Sequence, residues 1–307
     1  VLLFFEILIN RFTKAGIYKS RVLLNQKNYK SSDIIISFTD AYSINVGLFH
    51  KKNKDQQLIG VFHGLSDFHG RVPLIFRKYF EKKISYSLKN LHYCLFLGDE
   101  DMFFSRKKYP FIKNKSDIFK FGVDHMFWRP VQLKETIDVF CVGSDINRDY
   151  EILKTICPSV RIKLLTSKKI DLNKNKNIEL INGSFNQSFI TDEQLRVFYN
   201  SAKIILIPLK NVFQPSGQSV ALQAMSCGKT VVISRTKGLF DKILLRDKFN
   251  IVFIEPHSLQ SLNKTITHLL NNENYRKKIG KSARTTVIEN FTIKDMSTSL
   301  KKVLERI

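Results

Sequence analysis

The stretch from Ala202 to Ser234, AKIILIPLKNVFQPSGQSVALQAMSCGKTVVIS, constrains this chain more than any other. It reads strand, loop, helix, strand. Lys203 to Pro208 is a short Ile-rich apolar run, the mark of a strand covered on both faces. Leu209 to Ser216 is a polar loop carrying Lys210, Gln214 and Pro215. A helix is expected from near Gly217 to Gly228, a natural left-handed C-terminal cap, and Thr230 to Ile233 is a second buried strand. Two parallel strands joined by a helix need a right-handed crossover, and ligands sit at the carboxyl ends of such strands. The turn Ser216-Gly217-Gln218-Ser219 falls at that end, with free backbone N–H groups at a helix N-terminus suited to an anion.

On this helix Val220, Ala221, Ala224 and Met225 form an apolar face. Ser219, Gln223 and Ser226 fall at i, i+4 and i+7 and form a polar stripe. The stripe reads either as an ordinary solvent edge or as the lining of a nucleotide cleft. Strand-helix alternation runs through both halves of the chain. Asp33–Phe38, Gln57–Phe62, Tyr93–Leu97 and Asp117–Phe121 are the strands of the first half. Ile137–Val142, Val160–Leu165, Ile178–Ile181 and Ile251–Ile254 join the two central strands in the second. The segment KKIDLNKNKN between two of these is a polar loop, and Thr191-Asp192-Glu193-Gln194 resembles a capping box. The pattern predicts an α/β protein of two parallel-sheet domains with a cleft between them. We expect domains over residues 1–132 and 133–290, with a helix over 291–307 returning to the first. The chain opens on Val rather than Met, and the first domain is expected to lack part of its start.

Charge narrows the partners. Fifty Lys and Arg against 27 Asp and Glu give a net +23. The cations are spread along the chain rather than gathered into an arm. That favours compositional bias with a diffuse attraction to an anionic membrane surface over specific nucleic-acid binding. Four scattered cysteines form no CxxC, no zinc spacing and no disulfide framework, so a reducing, cytoplasmic setting is expected. No run reaches the roughly 20 apolar residues of a spanning helix. Val1 to Phe12 is apolar but short and reads as a core helix or an interfacial one, core being preferred. A helix over Pro73–Leu91 presents a basic face, solvated or resting on an acidic membrane.

No HExxH, GxSxG, full GxxxxGK[ST] or GxGxxG pattern occurs, and no metal site or bound cofactor is expected. What remains is a phosphate site. Arg148 follows the end of one strand, after Gly143, and Lys210 follows another. In a parallel sheet both reach the same edge, where a forked guanidinium and an ammonium beside N–H groups can hold a diphosphate.

The segments FGVDHMFWRP, FCVGSDINRDYEIL and IPLKNVFQPSGQSVALQAMSCGKTVV resemble the second half of a GT-B glycosyltransferase, close to glycosyltransferase family 4. The resemblance covers about residues 118–290 and reaches 33–117 only through strand order and the turn HGLSD. It implies two Rossmann-like domains and a nucleotide-sugar donor held by the second. It further implies a saccharide or lipid-linked acceptor held by the first, and metal-independent transfer with retained configuration, serving polysaccharide or glycolipid synthesis. Carried over by motif, Arg148 and Lys210 would neutralise the donor diphosphate. Gly143, Ser216, Gly217, Gln218 and Ser219 would line it, and Gln223 would meet the ribose hydroxyls. His63, at a strand end in the first half, would hydrogen-bond sugar or acceptor, or is simply a packed histidine. The family pattern has two glutamates with seven residues between them; here Pro215 and Gln223 hold those places. Glutamine still donates and accepts but without charge assistance. A non-catalytic GT-B-like binding protein is therefore the alternative reading.

Overall fold

The computed structural model describes residues 2–13, 16–171, 176–183 and 190–306; the rest of the KKIDLNKNKN loop, residues 172–175, lies outside them. The chain forms two compact units, one of Val1–Phe119, Phe213–Pro215 and Ser299–Ile307, the other of Lys120–Val212 and Ser216–Thr298.

The first unit opens with helices α1 (Leu2–Thr13), α2 (Lys19–Leu24) and α3 (Gln26–Lys30). Strand β1 (Ile34–Phe38), helix α4 (Asp40–Phe49), strand β2 (Gln57–Phe62), helices α5 (Leu65–Arg71) and α6 (Leu74–Asn90), strand β3 (Tyr93–Phe96), helix α7 (Asp99–Lys108) and strand β4 (Ser116–Ile118) follow. The four strands are parallel in the order β1-β2-β3-β4. β3 is buried throughout and β2 from Leu58 onward, as their apolar runs require. The HGLSD stretch, expected as a turn, starts α5 at Leu65.

α1 departs from the expectation of a core helix. Its polar residues Glu6, Asn10 and Thr13 are each 8% exposed, while Phe4 and Phe12 are each 68% exposed. Hydrogen bonding outweighs apolar burial here. Asn10 Nδ2 donates to the Ile17 carbonyl at 2.7 Å and its Oδ1 accepts from Ile17 N–H at 2.9 Å. Beyond it, buried Asn45 of α4 accepts from Tyr18 N–H at 2.7 Å and donates to the Gly16 and Ala41 carbonyls at 2.8 and 2.7 Å.

The second unit holds β5 (Ile137–Val142), β6 (Ile162–Thr166), β7 (Ile178–Asn182), α8 (Asp192–Ser201), β8 (Ala202–Ile207), α9 (Gln218–Ser226), β9 (Thr230–Ser234) and β10 (Val252–Ile254). Helices α10 (Leu259–Asn271), α11 (Glu273–Asn290) and α12 (Ile293–Leu304) end the chain, α12 being shared between the units. All six strands are parallel, in the order β10-β9-β8-β5-β6-β7. Alternate residues feed two cores. Phe140, Ile205, Ile207 and Val231 pack with α9 and α11, and Val139, Cys141, Ile204 and Leu206 pack with α10. Residues 120–132 belong to this unit, with Trp128 buried against Tyr199. The capping box of α8 forms in both directions, Thr191 with Gln194. After β5 the chain forms a 3-10 stretch, Tyr150–Thr155, rather than an α-helix. Asp149 N–H is drawn to the Pro208 carbonyl at 3.0 Å, and Pro158 follows too soon for a full α-helix.

Asn45→Ala would leave the Tyr18 N–H and the Gly16 carbonyl without the bonds that Asn45 gives them. We expect the first unit to lose about 1–3 kcal/mol, read as a lowered midpoint in denaturant unfolding; an unchanged midpoint would refute the role given to Asn45.

Candidate functional site

Strand order in the second unit reverses between β5 and β8. From β5 the chain steps outward through β6 and β7, then crosses back to place β8 on the other side. Such a switch point leaves a crevice at the carboxyl ends of the two strands. The segments leaving those ends are stitched together. Arg148 and Leu209 form an antiparallel bridge, and Lys210 N–H donates to the Asn147 carbonyl at 2.9 Å. Asn147 Nδ2 in turn donates to Ser216 Oγ at 2.7 Å. The strand-end loop of β5 is thereby fixed to the turn that starts α9.

Arg148 lies beneath this turn. It is only 3% exposed, and its Nε donates to Asp145 Oδ2 at 2.7 Å. Gly143 makes room for it. A Cβ at Gly143, where φ is +130°, would stand 2.6 Å from Arg148 Nη2, whereas one at Gly217 would first meet Ile207 Cγ2 at 2.7 Å. Gly143 is therefore a seat for the guanidinium. Nη1 is buried and has no hydrogen-bond partner among the described residues. A covered, unsatisfied guanidinium donor is costly unless an acceptor completes it.

Gly217 caps α9 in the left-handed conformation, φ 78°, and no side chain caps the helix. The first intrahelical bond is Ala221 N–H to the Gly217 carbonyl at 2.9 Å. The N–H groups from Gln218 to Val220 precede it, so the positive end of the helix faces the loop with donors to spare. Ser216 and Gln218 are buried and Ser219 is exposed.

A third cation joins Arg148 and Lys210. Lys168, just past the end of β6, donates to the Arg148 carbonyl at 2.9 Å. Burial, and then the charge of Lys210, hold its ammonium below the usual lysine range. Lys210 itself is exposed. Sequence reading placed Lys168 in a polar loop; the rule that located Arg148 and Lys210, a cation just past a parallel strand, applies to it equally. Asp145, which pairs with Arg148, was also passed over.

The polar stripe of α9 does not face one cleft. Ser226 is fully buried and its hydroxyl is bound by the Trp128 carbonyl. Gln223 is half-buried, and its Oε1 accepts from Tyr199 Oη at 3.1 Å. Its amide oxygen is thus engaged by Tyr199, a partner that no spacing rule points to.

His63 belongs to the first unit. Its N–H and that of Gly64 both donate to Asp40 Oδ1 at 3.1 Å. Thr39, just before Asp40, has φ 80° and ψ 150°, a conformation that β-branched residues rarely hold. Burial lowers the proton affinity of His63 despite the opposing charge of Asp40. Asp99-Glu100-Asp101 spaces two carboxylates like a metal-binding pair, contrary to the expectation that the sequence holds no such pair. Asp101 is instead fully buried and accepts from Leu65 and Ser66 N–H at 3.2 and 2.7 Å. Burial, and then Asp40, push its carboxyl up to about 7.

Residues 171–286 match the family model of glycosyl transferases group 1. An uncharacterized glycosyltransferase of Methanocaldococcus jannaschii is 35% identical over 89 residues, which is 29% of this chain and 22% of the relative's length. Sucrose-phosphate synthase from Thermosynechococcus elongatus superposes with a TM-score of 0.75 at 16% identity, over 94% of this chain and 77% of that one. Anabaena HepE, in complex with UDP and glucose, does so with a TM-score of 0.71 at 12% identity, over 93% and 81%. The fold, two α/β domains each with a parallel sheet, is that of the GT-B glycosyltransferases. The stretch matched to glycosyl transferases group 1 runs from the loop after β6 into α11, and it includes Lys210 and the Gly217 turn.

Asp101 also sets a pH dependence. Between about pH 4 and pH 7 the folded chain holds a proton that the unfolded chain has released, so stability falls as pH rises through that window. Asp101→Asn removes the titration while keeping an acceptor. The gap between wild-type and variant unfolding midpoints is expected to shift in the variant's favour from pH 4 to 7. Parallel midpoints would contradict the assignment.

Proposed function

We propose that this chain moves a sugar from a nucleoside-diphosphate sugar to a saccharide or lipid-linked acceptor. The observation that carries the reading is the uncapped Gly217 turn set against Arg148, Lys168 and Lys210 at the strand-order switch of the second unit. The diphosphate would take the N–H groups of Gln218 and Ser219. Lys168 and Lys210 would meet its charge directly, with Arg148 beneath the turn. In the transfer, the bond from the anomeric carbon to the diphosphate oxygen breaks and its electron pair stays on the diphosphate. The acceptor hydroxyl oxygen forms the new bond and passes its proton to the leaving diphosphate oxygen. Charge grows on the leaving diphosphate, where pre-placed cations and N–H dipoles stabilise it most.

We further propose retained configuration and no metal at the leaving group, as the family resemblance implies. The acceptor would be held by the first unit. There His63, neutral near pH 7 because burial lowers its proton affinity, would offer a hydrogen bond to sugar or acceptor. A second reading, a GT-B-like protein that binds a nucleotide sugar without turnover, draws on Pro215 and Gln223. Neither supplies the carboxylate that the family pattern has, and Gln223 Oε1 is already engaged by Tyr199.

UDP-glucose is the first donor to test and UDP the first nucleotide, since the HepE structures hold them. We expect binding that Lys168→Ala and Lys210→Ala each weaken roughly 10- to 100-fold, the range of a lost charge-assisted hydrogen bond. Absence of binding across a panel of nucleoside diphosphates would overturn both readings. Donor turnover abolished by Lys210→Ala supports transfer; binding with no turnover toward any acceptor supports the second reading.

A further inference from the structure

Helix α1 is inside out. Glu6, Asn10 and Thr13, at i, i+4 and i+7, form the face turned toward the protein. Glu6 accepts from Ser20 N–H at 3.0 Å and from the Ser20 hydroxyl, and Asn10 ties the helix to Ile17. The opposite face is apolar and open. Phe4 and Phe12 are 68% exposed, Phe5 and Ile9 55%, and Ile7 52%. A contiguous apolar surface of this kind marks something that covers it.

The charge around the face says what that is. Residues 1–32 contain six cations, Arg11, Lys14, Lys19, Arg21, Lys27 and Lys30, and one acid, Glu6. Glu6 is the residue turned inward, so the described outer surface of α1 to α3 carries positive charge with no acidic side chain. A second copy packed on this face would set cations against cations. An anionic bilayer satisfies both features, taking the apolar side chains into its acyl boundary and the cations at its headgroups. At 12 residues α1 spans about 18 Å, too short to cross and suited to lie flat. Among the described residues no helix is long and apolar enough to cross a membrane.

The surface continues beyond α1. Ile17, just after it, packs against Val72 and Phe80. Between those two, at the start of α6, Leu74 and Ile75 are 76% and 82% exposed. We infer that α1, extended by the Leu74-Ile75 turn, is an interfacial anchor that seats the first unit on an anionic lipid surface. The basic face of α6, which sequence reading considered for membrane contact, then lies beside the inserting element rather than forming it. The inference rests on the first unit alone and stands or falls apart from the sugar-transfer reading.

The test is sedimentation of the purified chain with phosphatidylcholine vesicles, with and without phosphatidylglycerol. Binding is expected with the anionic vesicles and should weaken as salt rises. Phe4→Ser combined with Phe12→Ser should weaken it roughly tenfold or more without lowering the unfolding midpoint, because both rings are already in solvent. Lys19→Gln with Arg21→Gln should weaken it and flatten the salt dependence. Phe4→Trp gives an independent readout; Trp128 is buried in the second unit and serves as a constant background. Its emission should shift to the blue on anionic vesicles and be quenched by brominated lipid. An unmoved spectrum, equal binding by wild type and the Phe4/Phe12 variant, or a vesicle-indifferent dimer lost in that variant would each overturn the proposal.

Discussion

The second unit is organised around one buried cation. Arg148 can occupy its place only because Gly143 has no side chain, and because Asp145 offsets part of its charge. Removing a guanidinium from water costs several kcal/mol unless it is paired and hydrogen-bonded. Asp145 pairs one edge, and Nη1 is left without a partner among the described residues. The surrounding backbone holds that geometry. The Arg148–Leu209 bridge and the Asn147–Ser216 bond lock the ends of β5 and β8 together, so the guanidinium, the turn and the helix dipole are placed as one body. An anion arriving at this edge meets donors that have already lost their freedom, which is the condition under which electrostatic stabilisation is most effective.

The two units use polar burial differently. In the second, it assembles a cationic edge at the carboxyl ends of parallel strands. In the first, Glu6, Asn10 and Asn45 spend their hydrogen bonds on attaching α1 and α2, and the apolar side of α1 faces outward. Near His63, Asp40 and Asp101 collect the N–H groups that start α5, and burial moves the protonation of both His63 and Asp101 away from ordinary values. Groups with perturbed protonation around a strand end are a familiar feature of reactive sites.

Much of this was legible from the residues. The strand-loop-helix-strand unit of 202–234 appears within a residue or two of its expected limits, because its Ile-rich runs and the glycines at 217 and 228 are strong local signals. The alternation of strands and helices sufficed for two parallel sheets. What escaped were features set by tertiary context. Lys168 becomes part of the cationic edge only through the adjacency of β5 and β6, and Ser226 leaves the polar stripe because the Trp128 carbonyl takes its hydroxyl. Gln223 is turned by Tyr199, which arrives from a different helix. The outward face of α1 was misread because apolar content alone cannot tell which side of a helix the hydrogen bonds will claim.

The grip on a diphosphate is best tested by a structure of the chain with UDP bound. The phosphates should lie within hydrogen-bonding distance of the Gln218 and Ser219 N–H groups and of Lys168 Nζ or Lys210 Nζ, with an oxygen completing Arg148 Nη1. Density for the nucleotide away from the carboxyl ends of β5 and β8, with the Gly217 turn untouched, would contradict it.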